Sequence, residues 1–253
     1  MVRGLPAALA VAGLAACEEV RPPDLDPAVV LSLLVESGQR TARMQAGHPH
    51  ADEAPRDISA TLEGPGWTAE FVPTGSPERC GYRPFGSAFT CFIASLPEAA
   101  APGRYRLRGT APPGPFTGEM TVPAIPLMEK PADTVRIPSP DTSGFFPIPL
   151  RYQVDSGTAA LLVDRVRGRL DSLGTALVEV GDTLHEWYDG SPYTLDVRVR
   201  GIGPNFTDWV RHTGDKLVLP PWPSFGIEGE GVYGYFDGIS APAPWVRIIV
   251  GEP

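Results

Sequence analysis

Residues 102–108 read Pro-Gly-Arg-Tyr-Arg-Leu-Arg, the clearest strand pattern in the chain. Tyr105 and Leu107 alternate with three arginines, which is the period-2 pattern of a strand with one buried and one solvated face. The Pro-Gly pair in front of them is a turn signal. The stretch therefore predicts a short, half-buried β-strand that begins at a tight turn.

Six more short strands are predicted on either side of it, each bounded by Gly, Pro or polar residues. They cover residues 29–35, 40–45, 58–63, 67–71, 88–94 and 116–122. Seven strands in roughly 95 residues is typical of an immunoglobulin-like sandwich. The Gly-x-Tyr-x-Leu pattern also resembles a late strand of such domains, in which the tyrosine often ties down a corner. We place this first domain at residues 28–123.

Residues 124–253 are predicted to form a second β-sandwich domain, so the fold class is all-β with two tandem sandwiches. The 28 Gly and 30 Pro residues, with 42% hydrophobic residues, favour many short strands over long helices. Residues 159–170 are ambiguous, because their apolar positions would also line one face of a helix. A strand is favoured there, since a turn-like Asp-Ser-Gly precedes it. Further strands are predicted at 133–137, 148–154, 176–180, 193–202, 231–236 and 245–250, with a short helix at 205–211.

The N-terminus carries a predicted lipoprotein signal peptide, residues 1–16. Arg3 is followed by an apolar run and then by Leu-Ala-Ala-Cys, the lipobox pattern that is cut just before its cysteine. The apolar run is shorter than the roughly 20 residues that span a bilayer. We therefore predict lipidation of Cys17; an ordinary secretory signal or a frayed N-terminus is the alternative.

Residues 17–27 are predicted to be the lipidated cysteine and a proline-rich, semi-rigid linker. Glu18 and Glu19 resemble a sorting signal for surface display in some Gram-negative lineages, and a solvated spacer explains them equally well. We expect a cell-envelope protein anchored by lipid to the outer membrane, facing either the periplasm or the cell surface.

The net charge and the cysteine spacing argue against several kinds of ligand and cofactor. The formal net charge of −9 argues against nucleic acid and against attraction to anionic lipid headgroups. Outside the cytoplasm two nearby thiols normally pair, so Cys80 and Cys91 are predicted to form a disulfide. Their spacing fits neither a redox Cys-x-x-Cys motif nor a zinc site.

Residues 48–53 contain the one cluster with metal-ligand side chains, His48, His50, Asp52 and Glu53. Pro49 keeps this stretch extended, so a solvated loop is favoured over a metal site. The chain has no Gly-x-Ser-x-Gly, His-Glu-x-x-His or phosphate-loop motif. We assign no catalytic residue and expect no cofactor; a metal-dependent hydrolase is the lesser alternative.

Aromatic residues are concentrated in the predicted second domain, which holds four of the five tryptophans. Core packing is their default role, but some lie in turn-like sequences, where exposure is favoured. Exposed aromatics on a β-sandwich can stack on sugar rings or anchor a protein interface. Trp187, Tyr188 and Trp222 are therefore the predicted contacts with a glycan or a protein partner.

Residues 193–209 and 225–234 resemble two stretches of an uncharacterised envelope lipoprotein family of Bacteroidetes-type bacteria. That family also has a lipobox, an immunoglobulin-like N-terminal region and frequent association with TonB-dependent outer-membrane receptors. Here Phe225 and Gly226 replace the family's Ser-Asn, and Gly229 stands where the family has paired glycines. The resemblance implies an accessory role beside a receptor, and the glycines themselves suit tight turns and close backbone approach.

Three functions remain open from the sequence. A non-catalytic binding or accessory module predicts exposed aromatics in the second domain and a membrane partner. A structural or adhesion lipoprotein predicts buried aromatics. A hydrolase requires the histidines and carboxylates of residues 48–53 to converge on one ion.

Overall fold

The computed structural model describes residues 28–48, 55–80, 89–129, 133–139, 143–148, 150–167, 171–213 and 223–251. Within these ranges the chain forms strands, one α-helix, α1 (Pro204–Thr213), and a 3₁₀ turn at Pro77–Cys80. The strands are β1 (Val29–Glu36), β2 (Thr41–Gly47), β3 (Ser59–Gly64), β4 (Trp67–Thr74), β5 (Phe89–Ser95), β6 (Gly103–Ala111), β7 (Gly114–Val122), β8 (Leu127–Met128), β9 (Thr134–Ile137), β10 (Gly144–Pro147), β11 (Tyr152–Gln153), β12 (Ala160–Arg167), β13 (Asp171–Glu179), β14 (His185–Tyr188), β15 (Tyr193–Ile202), β16 (Ser224–Phe225), β17 (Ile227–Gly229), β18 (Val232–Ile239) and β19 (Val246–Val250).

The first sandwich is built from two sheets that share β4. One sheet has the order β17-β7-β6-β3-β4 and the other β4-β5-β2-β1-β18, because the first half of β4 pairs with β3 and its second half with β5. The alternating apolar residues of both sheets face each other. Their core includes Leu31, Leu62, Phe92, Leu107 and Phe236, all buried.

The second sandwich has a five-stranded sheet, β13-β12-β15-β19-β9, covered on one face by the two-stranded sheet β10–β14. The strands β8 and β11 form a second short pair. Val163, Val197 and Ile248 of the large sheet pack against Phe146 and Tyr188 of the small one. The all-β sandwich fold predicted from the sequence is confirmed.

The two sandwiches meet end to end, where β15 ends beside the end of β18. Ile202 pairs with Ile239, and the backbone N–H of Ser240 donates to the carbonyl of Gly201 at 2.8 Å. In the part of the chain that the structure describes, no helix is long and apolar enough to cross a membrane.

Most predicted strands are present. The seven strands predicted in residues 28–123 correspond to β1 to β7. Of the ambiguous residues 159–170, those from 160 to 167 form strand β12, as favoured, and 168–170 lie outside the described residues. The short predicted helix is α1. The prediction of a strand over 148–154 was wrong for most of its described residues, among which only Tyr152 and Gln153 form a strand, paired with β8.

The boundary at residue 123 stays a prediction, but one part of residues 124–253 lies in the first sandwich. Strand β18 pairs in parallel with β1 over its whole length, and β17 pairs with β7. Val232 and Phe236 are buried in the first core as a result. The apolar strand β1 is central because β18 covers its other edge.

Tyr105 ties down a corner, as its resemblance to immunoglobulin-like domains implies. Its hydroxyl donates to the carbonyl of Ala101 at 2.9 Å and accepts from the backbone N–H of the same residue at 3.0 Å. Burial raises the pKa of the Tyr105 hydroxyl, which the hydrogen bond to Ala101 partly offsets. The side chain therefore fixes the turn before β6 while its ring packs in the core.

Asp237 caps helix α1 from the neighbouring strand β18. Its carboxylate is fully buried and accepts hydrogen bonds from the backbone N–H groups of Phe206 at 2.7 Å and Gly238 at 2.8 Å. Gly203 leaves the space for it, since a Cβ there would lie 2.0 Å from Oδ1. Burial raises the pKa of Asp237 to about 7, although these N–H groups act in the opposite direction.

Asp237 is expected to make stability fall as pH rises between its unfolded value near 3.8 and its folded value of about 7. In that window the folded state binds the proton more tightly, so the stabilisation present at low pH is lost on raising the pH. We expect a loss of about 1 kcal/mol per pH unit between pH 5 and 6.5. Urea unfolding of the native chain and of Asp237→Asn should show this slope only in the native chain; equal slopes would contradict it.

Candidate functional site

Two large aromatic side chains stand exposed on the outer face of the small sheet β10–β14. Phe145 and Trp187 are directly opposite each other in the pairing of the two strands, and they are 74% and 50% exposed. Their ring centroids are 5.1 Å apart at an angle of 77°. We call these two residues the aromatic pair.

The neighbours of the aromatic pair point the other way, into the second core. Successive residues of a strand face opposite sides, so Phe146, Glu186 and Tyr188 lie beneath the sheet and are buried. The rings of Phe146 and Tyr188 meet edge to face, with centroids 6.5 Å apart. The aromatic pair therefore projects from a sheet, β10–β14, whose opposite face packs in the second core, and not from a loop.

A buried ion pair joins this support to the large sheet. Nη1 of Arg165, on β12, lies 2.5 Å from Oε1 of Glu186, whose side chain is only 8% exposed. A charge pair withdrawn from water needs both members, since either one alone would be left uncompensated. Glu186 and Arg165 consequently fix the position of β14 across the core.

A second set of contacts holds the backbone of Trp187 from the side. The hydroxyl of Tyr193 donates to the carbonyl of Trp187 at 3.3 Å. The guanidinium of Arg167 lies 4.0 Å above the Tyr193 ring and its Nη2 lies 3.5 Å from Oδ2 of Asp189. Burial raises the pKa of Tyr193 to about 12, so its hydroxyl stays protonated and able to donate at physiological pH.

This arrangement is suited to binding through apolar contact. Tryptophan and other aromatics supply large contact areas with few rotatable bonds, and Trp is enriched among the residues that dominate interface energies. Because the two ring planes are nearly perpendicular, the aromatic pair forms a raised ridge and not a flat surface. The charged residues Arg167 and Asp189 lie beside it.

The predicted contact residues have different outcomes. Trp187 is exposed, but it lies on strand β14 and not in a turn. The prediction for Tyr188 was wrong, because strand alternation turns its side chain into the core, where it is 4% exposed. Trp222 lies outside the described residues. Trp245 is also exposed, at 43%, with the guanidinium of Arg198 over its ring.

The other predicted sites are partly described. Cys80 and Cys91 form the predicted disulfide, with Cα atoms 5.7 Å apart. Cys17 lies outside the described residues, as do His50, Asp52 and Glu53. Nδ1 of His48 is 2.8 Å from the carbonyl oxygen of Ala28. Among the described residues, no three His, Cys, Asp or Glu side chains are grouped so that they could hold a metal ion.

Phe145 is the site residue that the sequence reasoning missed. Its signal is the doublet Phe145-Phe146, which is flanked by Gly144 and Pro147. If this doublet forms a strand, one of the two rings must face away from the core. The four-residue strand β10 is too short for a periodic pattern to reveal it beforehand.

Comparisons with known proteins do not identify a family. No protein-family model matches the chain. No curated protein matches it either. Among solved structures, the crystal structure of CBD12 from CALX1.2 is similar at a TM-score of 0.23 and 9% sequence identity, over 88% of this chain and 99% of that chain.

Proposed function

We propose that this protein is a lipid-anchored cell-envelope protein that works by binding rather than by catalysis and docks on an outer-membrane protein. The observation that carries this proposal is the aromatic pair, Phe145 and Trp187, exposed on a sheet whose opposite face is buried. A receptor or transport system is the partner that the sequence resemblance implies. The lipid anchor at Cys17 would hold the protein beside such a partner.

The strand directions support the proposal, because they put the aromatic pair far from Ala28, the first described residue after the predicted anchor. Ala28, the first described residue, lies at the start of β1, and the parallel strand β18 runs away from it to Ile239. There Ile239 meets Ile202, and β15 continues from Ile202 back to Tyr193, beside Trp187. At about 3.3 Å per residue, the two ends are on the order of 50 Å apart.

The alternatives fit the exposed pair less well. A structural or adhesion protein predicts buried aromatics in the second domain, whereas Phe145 and Trp187 are exposed. A glycan is best stacked on a flat ring face, and the 77° angle between these rings offers a ridge instead.

Trp187→Ala should weaken recovery of an outer-membrane partner at least about tenfold, since central interface aromatics contribute about 2 kcal/mol or more. The measurement is a mild-detergent pull-down of the lipidated full chain from its native envelope, followed by mass spectrometry. Trp245→Ala is the matched control, because it removes an exposed tryptophan elsewhere on the same sandwich. Cys17→Ala tests the contribution of the anchor.

The expected result is one membrane protein in near-stoichiometric amount, retained with Trp245→Ala and lost with Trp187→Ala. Recovery of the bait alone from cells with the native chain would contradict docking. Equal recovery with both tryptophan variants would contradict docking through the aromatic pair.

A further inference from the structure

A polar groove of about 460 Å³ lies on the outer face of the first sandwich. Strands β18, β1 and β2 form its floor, and Arg200 of β15 reaches it from the second sandwich. Ligand sites occur preferentially at junctions between domains and typically measure about 300–1,000 Å³. The groove has this position and this size, and it is separate from the aromatic pair.

The floor of the groove carries polar side chains that are nearly inaccessible to bulk water. Ser32 and Gln45 lie opposite each other on β1 and β2 and are 7% and 5% exposed. The hydroxyl of Ser32 donates to the hydroxyl oxygen of Tyr235. Ser32 interrupts an otherwise apolar run of β1, and it lines the groove together with Leu34 and Glu36 of the same strand.

The guanidinium groups at the groove outnumber the carboxylates that pair with them. Nη2 of Arg200 is 3.1 Å from Oδ1 of Asp164, but Nε of Arg198 binds the other oxygen of the same carboxylate at 3.0 Å. One carboxylate therefore serves two guanidiniums. Nε of Arg200 has no hydrogen-bond partner among the described residues.

Arg43 adds a second cation on the floor of the groove. Its side chain is exposed and makes no salt bridge with any residue in the described ranges. Among the described residues that line the groove, Glu36, on the same face of the sheet, is the one carboxylate. The described lining of the groove thus carries two guanidiniums and one carboxylate, a local excess of positive charge that favours an anion in a chain of net charge −9.

We propose that this groove binds a small hydroxylated carboxylate, such as a sugar acid. The planar guanidiniums of Arg43 and Arg200 match a carboxylate, which they can bind through paired hydrogen bonds. Thr41, Gln39 and Glu36 supply donors and acceptors for hydroxyl groups. Leu34 and Ile239 provide apolar surface for the carbon skeleton.

The proposal is tested by isothermal titration of the full chain with three small probes. D-galacturonate carries both a carboxylate and hydroxyls, D-galactose carries the hydroxyls alone, and succinate carries carboxylates without hydroxyls. We expect saturable binding of galacturonate, at least about tenfold tighter than that of either other probe. Galactose or succinate binding as tightly as galacturonate would overturn the proposal, as would the absence of saturable heat with galacturonate.

Variants then place the binding in the groove. Arg43→Gln should weaken galacturonate at least about tenfold, whereas Arg40→Gln, an exposed arginine outside the groove, should leave it unchanged. Thr41→Trp should abolish binding by filling the groove from its exposed edge. Thermal unfolding of each variant confirms that it is folded. Unchanged affinity in Arg43→Gln and Thr41→Trp would overturn the proposal.

Discussion

Gly234→Ala should lower the free energy of unfolding by at least about 4 kcal/mol. Gly234 lies in β18 with a φ of 112°, a region that side-chain-bearing residues rarely adopt. A Cβ at this position would lie 1.8 Å from the carbonyl oxygen of Leu31, which is backbone and cannot rotate away. Strand β1 is itself fixed between β2 and β18, so the clash separates the parallel strands that complete the first core.

Gly66→Ala is the matched control for this prediction. Gly66 also has a positive φ, 85°, but a Cβ there would meet no atom within 4 Å. It should therefore lose only about 1–2 kcal/mol, the cost of the conformation alone. Urea unfolding followed by circular dichroism measures both variants. Equal losses would show that β18 does not depend on its close approach to β1.

Glu186→Ala should cost about 3–5 kcal/mol, because it leaves the guanidinium of Arg165 without its buried partner. Glu186 is on the same strand as Trp187, so the loss should also loosen the support of the aromatic pair. The expected readouts are a lower urea midpoint and higher mobility of the Trp187 ring in fluorescence anisotropy, measured with the other tryptophans replaced.

Two comparisons separate burial from charge in this prediction. Glu119→Ala breaks the exposed ion pair with Arg106, whose atoms are 2.7 Å apart, and should cost less than about 1 kcal/mol. The double variant Arg165→Met with Glu186→Leu should regain most of the lost stability, since no charge is left buried. If Glu186→Ala is no worse than Glu119→Ala, the buried ion pair does not hold β14.

The first sandwich could be predicted from the sequence because its strands carry local signals. Alternation at residues 102–108, β-branched runs and Gly-Pro turns each act over a few residues. The pairing of β1 with β18 could not be predicted in this way. Ser32 and Tyr235, neighbours across these strands, are 203 residues apart in sequence. Parallel pairing of this kind leaves no turn signal between the two strands.

The candidate site was predictable only in part, for a related reason. Exposure of Trp187 was expected from its place near a Gly-containing turn, and Trp187 is exposed. Strands β10 and β14 have four residues each, so neither shows enough alternation to say which aromatic faces the core. Tyr188 was therefore predicted to be exposed although it faces the core, and Phe145 was not predicted as a contact at all.

The groove has one sequence signal, which a residue-by-residue view of β1 reveals. Ser32 stands in the middle of Val-Val-Leu-Ser-Leu-Leu-Val, where an apolar residue would suit a strand covered on both faces. A polar residue at such a position needs a hydrogen-bonding partner. The sequence alone does not name that partner, because Tyr235 comes from the distant strand β18.

The most direct test of the docking surface is site-specific photo-crosslinking in living cells that produce the lipidated full chain. A benzophenone amino acid is placed at position 145 or, as the control, at Val72, which is 60% exposed on the first sandwich. Docking through the aromatic pair predicts one dominant adduct with an outer-membrane protein from position 145 and none from position 72. It also predicts loss of that adduct when Trp187→Ala is added. Identical adducts from both positions, or no adduct from position 145, would contradict docking through the aromatic pair.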